Sequence, residues 1–361
     1  MDTETKKHKQ IKGHEIVRCI GLLVERMLRP HARRLADHWA TSTAGAVPIG
    51  TFGRTVRFGR TMQNLHFSDN SDPQAYTDRA WKPPQRNPPV PEGQAPTKLF
   101  MTCCAETAYC LRLEVYCGKD QHESELGGDS PTKFSADPNF GPAAVVRNLD
   151  EVLPPPEPDV YFAVVTDRFY TSVKLALQLL SRNVYTIGTI QSNKAGYPKE
   201  VTTPHSTRPN VVPRGSTKMA VMKSVPQMTA LLWWDRKPVQ FLATGERRMR
   251  GGKKVVVPCP SMMRDYHRWM GGVDIHDQLR LQRYSLQLSV VFRKYYKTIF
   301  LGLVDMAIVN AFIIYRGARK QRNEPPADHA MFLRHLRAQM LKLTASDFAD
   351  VVRGKEVFIR C

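Results

Sequence analysis

The chain has 361 residues, enough for one large domain or two to three smaller ones, and its 42% hydrophobic content can fill a real core. Lys and Arg total 53 against 33 Asp and Glu, so the formal net charge is 53 − 33 = +20. Such an excess favours a polyanionic partner, because each phosphate contact releases condensed counterions. The competing reading is a soluble protein whose basic charge is incidental.

The opening MDTETKKHKQIKGHE is charged and has no apolar segment, which argues against secretion; residues 1–12 are expected to be a disordered basic tail. An amphipathic helix is expected over 14–29, where Ile16, Ile20, Leu23, Val24 and Met27 recur on one face and Pro30 ends the run. A second helix is expected over 53–66, with Arg54, Arg57 and Arg60 three apart on one side. That spacing suits either a phosphate-facing stripe or a solvated face. Residues 82–97, KPPQRNPPVPEGQAPT, are dense in proline and read as a linker or loop.

Two strand-like runs follow, Lys98–Cys104 and Cys110–Cys117, and then a polar stretch over 118–142. A second proline cluster, Pro154 to Pro158, leads into Val160–Thr166, an apolar run short enough for a buried strand. Thr171–Arg182 has helical spacing, with Thr171 or Ser172 available as its N-cap. Further strands are expected at 184–191, 217–223, 228–234 and 238–243, and helices at 261–270, 274–288, 293–317, 327–342 and 345–352. The most apolar run, Ile299–Tyr315, contains Asp305 and Asn310 and is only marginally long enough to span a bilayer, so it reads as a buried helix. Helices, then strands with a crossover helix, then helices again imply an α/β core with a helical domain assembled from both ends of the chain.

Seven cysteines (19, 103, 104, 110, 117, 259 and 361) form no CxxC pair, which suggests reduced thiols in the cytosol or nucleus. The four between 103 and 117 read as packed core thiols rather than a metal site. Trp233 and Trp234 read as core, with base stacking the weaker alternative.

Two places can carry chemistry. Asp167 ends the apolar strand VYFAVV, and α/β folds bind ligands at the C-terminal edges of such strands. The alternative is an aspartate that ends a strand or caps a helix. Asp274 and Asp277 lie three apart in GGVDIHDQ, facing the same way on a helix that starts near Asp274. They suit either a Mg²⁺ site or a capping box. Phosphodiester cleavage with two metal ions needs carboxylates from separate elements, and these two stand 274 − 167 = 107 residues apart.

TDRFYTSVKLALQLLSRNVYTIGTIQSNKAGYP (166–198) and DYHRWMGGVDIHDQLRLQRYSLQL (265–288) resemble the two best marked blocks of piggyBac-type transposases. The helix LGLVDMAIVNAFIIYR (301–316) and the N-terminal segments GHEIVRCIGLLVERM, RTMQNLHFSDN and DRAWK resemble the family too, so the likeness covers most of 13–317. It implies an RNase H-like (DDE/D) α/β core that uses three aspartates and Mg²⁺ to cut and rejoin DNA. Asp167 matches the second catalytic aspartate, Asp274 the third, and Asp277 the acidic position beside it. The family also implies a discontinuous dimerisation and DNA-binding domain, here 13–96 plus 284–361, around a core over 97–283.

The sequence departs from the family twice. The block with the first aspartate is missing, because the chain runs from Asp78–Lys82 through the proline-rich stretch straight to Thr97–Met101. That block would supply the first, central strand of the sheet. Glu114 in LRLEVYC is the nearest strand carboxylate that could substitute. The Cys-rich zinc module of many members is also lacking, since only Cys361 follows Cys259. The expectation is therefore a nuclear, transposable element-derived protein that binds duplex DNA, has lost strand transfer, can form a homodimer, and uses no membrane or small-molecule substrate. Arg54, Arg57, Arg60 and Lys194 are its candidate DNA contacts. Mg²⁺ is the expected cofactor of any remaining activity. The alternatives are an active Mg²⁺-dependent transposase and a protein-interaction scaffold.

Overall fold

The computed structural model describes residues 11–28, 55–64, 98–116, 140–245, 261–281, 283–290, 292, 295–326 and 328–348. The chain packs as two compact units, Asn87–His276 and a second made of Met1–Arg86 with Asp277–Cys361.

In the first of these, β1 (Lys98–Cys103) and β2 (Cys110–Tyr116) form an antiparallel hairpin that is a two-stranded sheet of its own. Helix α1 (Gly13–Leu28) and α2 (Thr55–Asn64) precede it in the chain and belong to the other unit. Helix α3 (Gly141–Val152) follows, with Pro142 in its first turn, where a missing N–H costs nothing. This helix falls where a polar stretch and unassigned residues were expected.

Next come β3 (Phe162–Thr166), α4 (Val173–Leu180), β4 (Val184–Thr189), β5 (Thr217–Val221), β6 (Met228–Trp234) and β7 (Pro238–Thr244). The strands make one sheet in the order β3-β4-β7-β6-β5. β3 and β4 are parallel, joined by the crossover helix α4, and the remaining pairs are antiparallel. Among the described residues β3 is an edge strand of that sheet.

Side-chain alternation assigns the two faces. Met228, Ala230, Leu232 and Trp234 of β6 pack with Val173 and Ala176 of α4. The intervening Leu231 and Trp233 pack with Met263 and Tyr266 of α5 (Ser261–Trp269) on the opposite face. The paired tryptophans are thus core residues of opposite faces, as expected. Ser172 is the N-cap of α4, its Oγ accepting from the Leu175 N–H at 3.1 Å.

α6 (Gly272–Leu281) begins two residues earlier than the sequence suggests, and the boundary between the units falls within it. It does not continue to 288. A separate short helix, α7 (Leu286–Ser289), starts at the cap Ser285.

The second unit is helical. α1, α2, α7, α8 (Tyr295–Gln321) and α9 (His329–Lys342) share a core that includes Leu23, Val24, Phe58, Leu286, Leu301, Phe312 and Leu333. Each fully buried Leu or Phe contributes about 1.5–3 kcal/mol. Gly21 lets α1 and α9 approach closely, since a Cβ there would lie 2.7 Å from Leu341 Cδ2. Buried Glu25 of α1 pairs with Arg337 of α9 beside that contact. Residues Lys297–Gln321 are long and apolar enough to cross a membrane by length and composition. Here Leu301, Ile308 and Phe312 of that stretch line the helical core. Asp305, 3% exposed, accepts from the Ser285 hydroxyl and from the N–H groups of Leu286 and Gln287 at 2.8–3.1 Å.

Candidate functional site

Asp167 stands immediately after β3, at the C-terminal edge of the parallel pair. Its Oδ1 accepts from the backbone N–H of Phe169 at 2.8 Å and of Tyr170 at 3.3 Å. Its carbonyl accepts from the Thr171 N–H at 3.0 Å and hydroxyl at 2.7 Å. The carboxylate therefore closes its own turn into α4, the local role that competed with a ligand role in the sequence.

The turn is tightly enclosed. Thr166 and Thr171 share a hydroxyl–hydroxyl bond of 2.8 Å. Gly188 of β4 lies opposite Thr166, and a Cβ there would sit 2.3 Å from Thr171 Oγ1 and 2.7 Å from the Thr166 carbonyl. Glycine permits that approach because it has no side chain.

Glu114 of β2 is buried and fully engaged. Arg147 Nη2 lies 2.6 Å from Oε1, Arg147 Nε donates to Oε2 at 3.3 Å, and Asn148 Nδ2 donates to Oε2 at 3.1 Å. Both partners come from α3. The fork geometry of an arginine on a carboxylate is among the strongest charge-assisted pairings. Tyr170 lies near both acids: burial pushes its hydroxyl above the usual range, and the charges of Asp167 and then Glu114 push it further.

Asp274 is exposed in the first turn of α6, where a negative charge suits the helix dipole. Because the helix starts at Gly272, Asp274 falls at N3 rather than at the N-cap and Asp277 lies nearly a turn further on, so the two do not form the expected capping box. Gly272 is pressed against the β1–β2 turn, its Cβ position 3.0 Å from the Cys104 carbonyl. Asp277, within the helical unit, pairs with Arg280 at 2.9 and 3.2 Å, and Arg280 also donates to Gln287. Among the described residues no three His, Cys, Asp or Glu side chains converge as a metal site.

Of the candidate DNA contacts, Arg60 is exposed on α2 and Lys194 is half-buried in the turn after β4. Arg54 and the side chain of Arg57 lie outside the described residues, as do Cys117, Cys259 and Cys361. Arg147, Asn148 and Tyr170 were not singled out in the sequence. The signal for the first two was available: Pro142 followed by Val146, Leu149 and Leu153 has the opening residue and spacing of a helix.

A mixed α/β unit with a strand-end aspartate and a crossover helix, in a chain that also builds a helical unit from its two ends, is the architecture of a DDE-type transposase. The sequence matches the Transposase IS4 family over residues 82–312, and the chain belongs to that family. The fold is similar to a piggyBac transposase solved by cryo-electron microscopy in a synaptic complex with hairpin DNA. That likeness has a TM-score of 0.68 and 17% identity, and it covers 99% of this chain and 77% of the other. The fold is thus of the type seen in the piggyBac transposase. No curated protein sequence matches it.

Proposed function

We propose that this chain is a DNA-binding protein of the nucleus, derived from a cut-and-paste transposase, that no longer carries out strand transfer. The observation that carries the proposal is the local commitment of its acidic groups. Asp167 accepts two N–H groups of its own turn, Glu114 is held by Arg147 and Asn148, and Asp277 is held by Arg280. Two-metal phosphodiester chemistry needs carboxylates from separate elements converging on the cations. These residues do not fit such a centre.

DNA binding places weaker demands on the chain, since it is summed over many independent charges. The net charge of +20 supports it, and so does the solved relative, which is a transposase–DNA complex. We also propose that the helical unit mediates self-association, tested by sedimentation with and without duplex DNA.

The test of the main proposal has two arms. Affinity for terminal-repeat duplex should fall by roughly 10³–10⁵ between about 50 and 200 mM salt if some 6–10 phosphates are contacted. A salt-independent affinity would favour the scaffold reading. In the second arm, Mg²⁺-dependent nicking of the same duplex should be absent; nicking that Asp167→Ala abolishes would restore the active transposase.

A further inference from the structure

We propose that Cys103 and Cys110 are a redox-active dithiol, closed to a disulfide by hydroperoxides and reopened by thiols. The two residues face each other as cross-strand partners at the end of the β1–β2 hairpin. The Cys104 N–H donates to the Tyr109 carbonyl at 2.8 Å, one residue beyond the pair toward the turn. That bond makes Cys103 and Cys110 a non-hydrogen-bonded pair, the kind in which opposed Cα atoms approach to about 4.5 Å with both side chains on one face. Disulfides span Cα separations of about 4.4–6.8 Å, so closure needs little backbone movement. A register shift between Thr102 and Cys103 places Leu111 outside the pairing, which loosens the ladder beside the pair. Neither cysteine is in a disulfide, Cys103 is partly accessible and Cys110 is buried.

The turn supplies a second feature that a packed core thiol does not need. Burial alone would push the Cys104 thiol up. Hydrogen bonds from the Thr107 hydroxyl and from the N–H groups of Thr107 and Glu106 outweigh it and bring the thiol below its ordinary value. The donors of this turn therefore favour thiolate at this end of the hairpin, and thiolate is the attacking species.

The chemistry balances in two steps. A thiolate sulfur attacks the distal peroxide oxygen, the O–O bond breaks, and a sulfenic acid and an alcohol (water, for hydrogen peroxide) form. The second thiol then attacks the sulfenyl sulfur, the S–S bond forms and the oxygen leaves as water. Two thiols lose two electrons and two protons in all, and the peroxide takes both. The closed ring would sit against the first turn of α6, because the Cys104 carbonyl is the atom on which Gly272 packs. The helix bearing Asp274 thus rests on the segment that the couple would stiffen.

The experiment uses the full chain carrying Cys104→Ser, in which trypsin releases Cys103 and Cys110 together on the single peptide Leu99–Arg112. After hydrogen peroxide, that peptide should be lighter by two hydrogens, refuse alkylation, and regain both thiols with dithiothreitol. Closure should be at least about tenfold faster in native protein than in urea, since the fold presets the pair. In the unmutated chain the same treatment should leave Cys104 as the only alkylated cysteine of this peptide, which checks the assignment independently of the variant. Continued alkylation of both thiols in Cys104→Ser, or equal closure rates in native and urea-unfolded chains, would overturn the proposal. So would equally fast closure in Cys110→Ser, which would assign the couple to Cys103 and Cys104.

Discussion

Glu114 and Arg147 form a two-bonded ion pair between β2 and α3, with both side chains less than a tenth exposed. Among the described residues the pair ties up the only carboxylate carried on a strand. A buried pair contributes little over a well-packed apolar substitute, but breaking it by removing one partner strands the other charge. Arg147→Ala should therefore cost about 3–5 kcal/mol in urea denaturation. The double replacement Glu114→Leu with Arg147→Met should recover most of that loss. A single mutant as stable as the parent would mean that water reaches the pair.

Gly188 should be equally intolerant for a steric reason. Its Cβ position is 2.3 Å from Thr171 Oγ1 and 2.7 Å from the Thr166 carbonyl, and the second obstacle is backbone. Gly188→Ala should lower stability by about 1–3 kcal/mol through overpacking. Adding Thr171→Ala should not restore it, because the carbonyl remains. Thermal melting of the two variants decides this, and full recovery in the double variant would show that the hydroxyl was the whole obstacle.

Much of this architecture was legible from spacing. The span of β6 and the end-of-strand position of Asp167 followed from short apolar runs, and residue type narrowed the cap of α4 to Thr171 or Ser172. The separate start of α7 was not legible, because the group that holds it is Asp305, about 20 residues later in sequence, accepting the N–H groups of Leu286 and Gln287. The partners of Glu114 were missed for a similar reason. The helix that carries Arg147 could have been read from its start and spacing, but no local pattern says that a strand carboxylate 33 residues earlier needs that arginine. Local signals write the elements; the pairings that settle whether an acid is available for chemistry are long-range.

His329 gives the helical unit a pH response. It opens α9, stacked on Phe312 at 4.4 Å and edge-on to Tyr284 at 5.3 Å. Burial lowers its pKa, and the charge of Asp328 opposes this only in part. A helix N-terminus also disfavours a cation. The folded state therefore binds this proton less readily than the unfolded chain. The group's contribution to stability is complete above the ordinary histidine range and is lost as pH falls through that range toward the lowered value. Relative to His329→Gln, the parent protein should lose stability between about pH 7 and 5. Denaturation midpoints that run parallel for the two proteins would refute this.

Asp305 should show the opposite slope. Burial is the largest influence and raises its pKa, while the N–H groups of Leu286 and Gln287, the Ser285 hydroxyl and the charge of Arg280 pull it back in part. The folded state thus holds this proton more tightly than the unfolded chain. The stability of the parent relative to Asp305→Asn should fall as pH rises from the ordinary carboxylate range through the raised value, then level off. The asparagine keeps one acceptor for the start of α7, whereas Asp305→Ala leaves two N–H groups and a hydroxyl without a partner, at about 1–3 kcal/mol for each one that stays dry. Alanine should accordingly be the more damaging change at every pH. An alanine variant as stable as asparagine would mean that water replaces the carboxylate and that α7 does not depend on α8 for its cap.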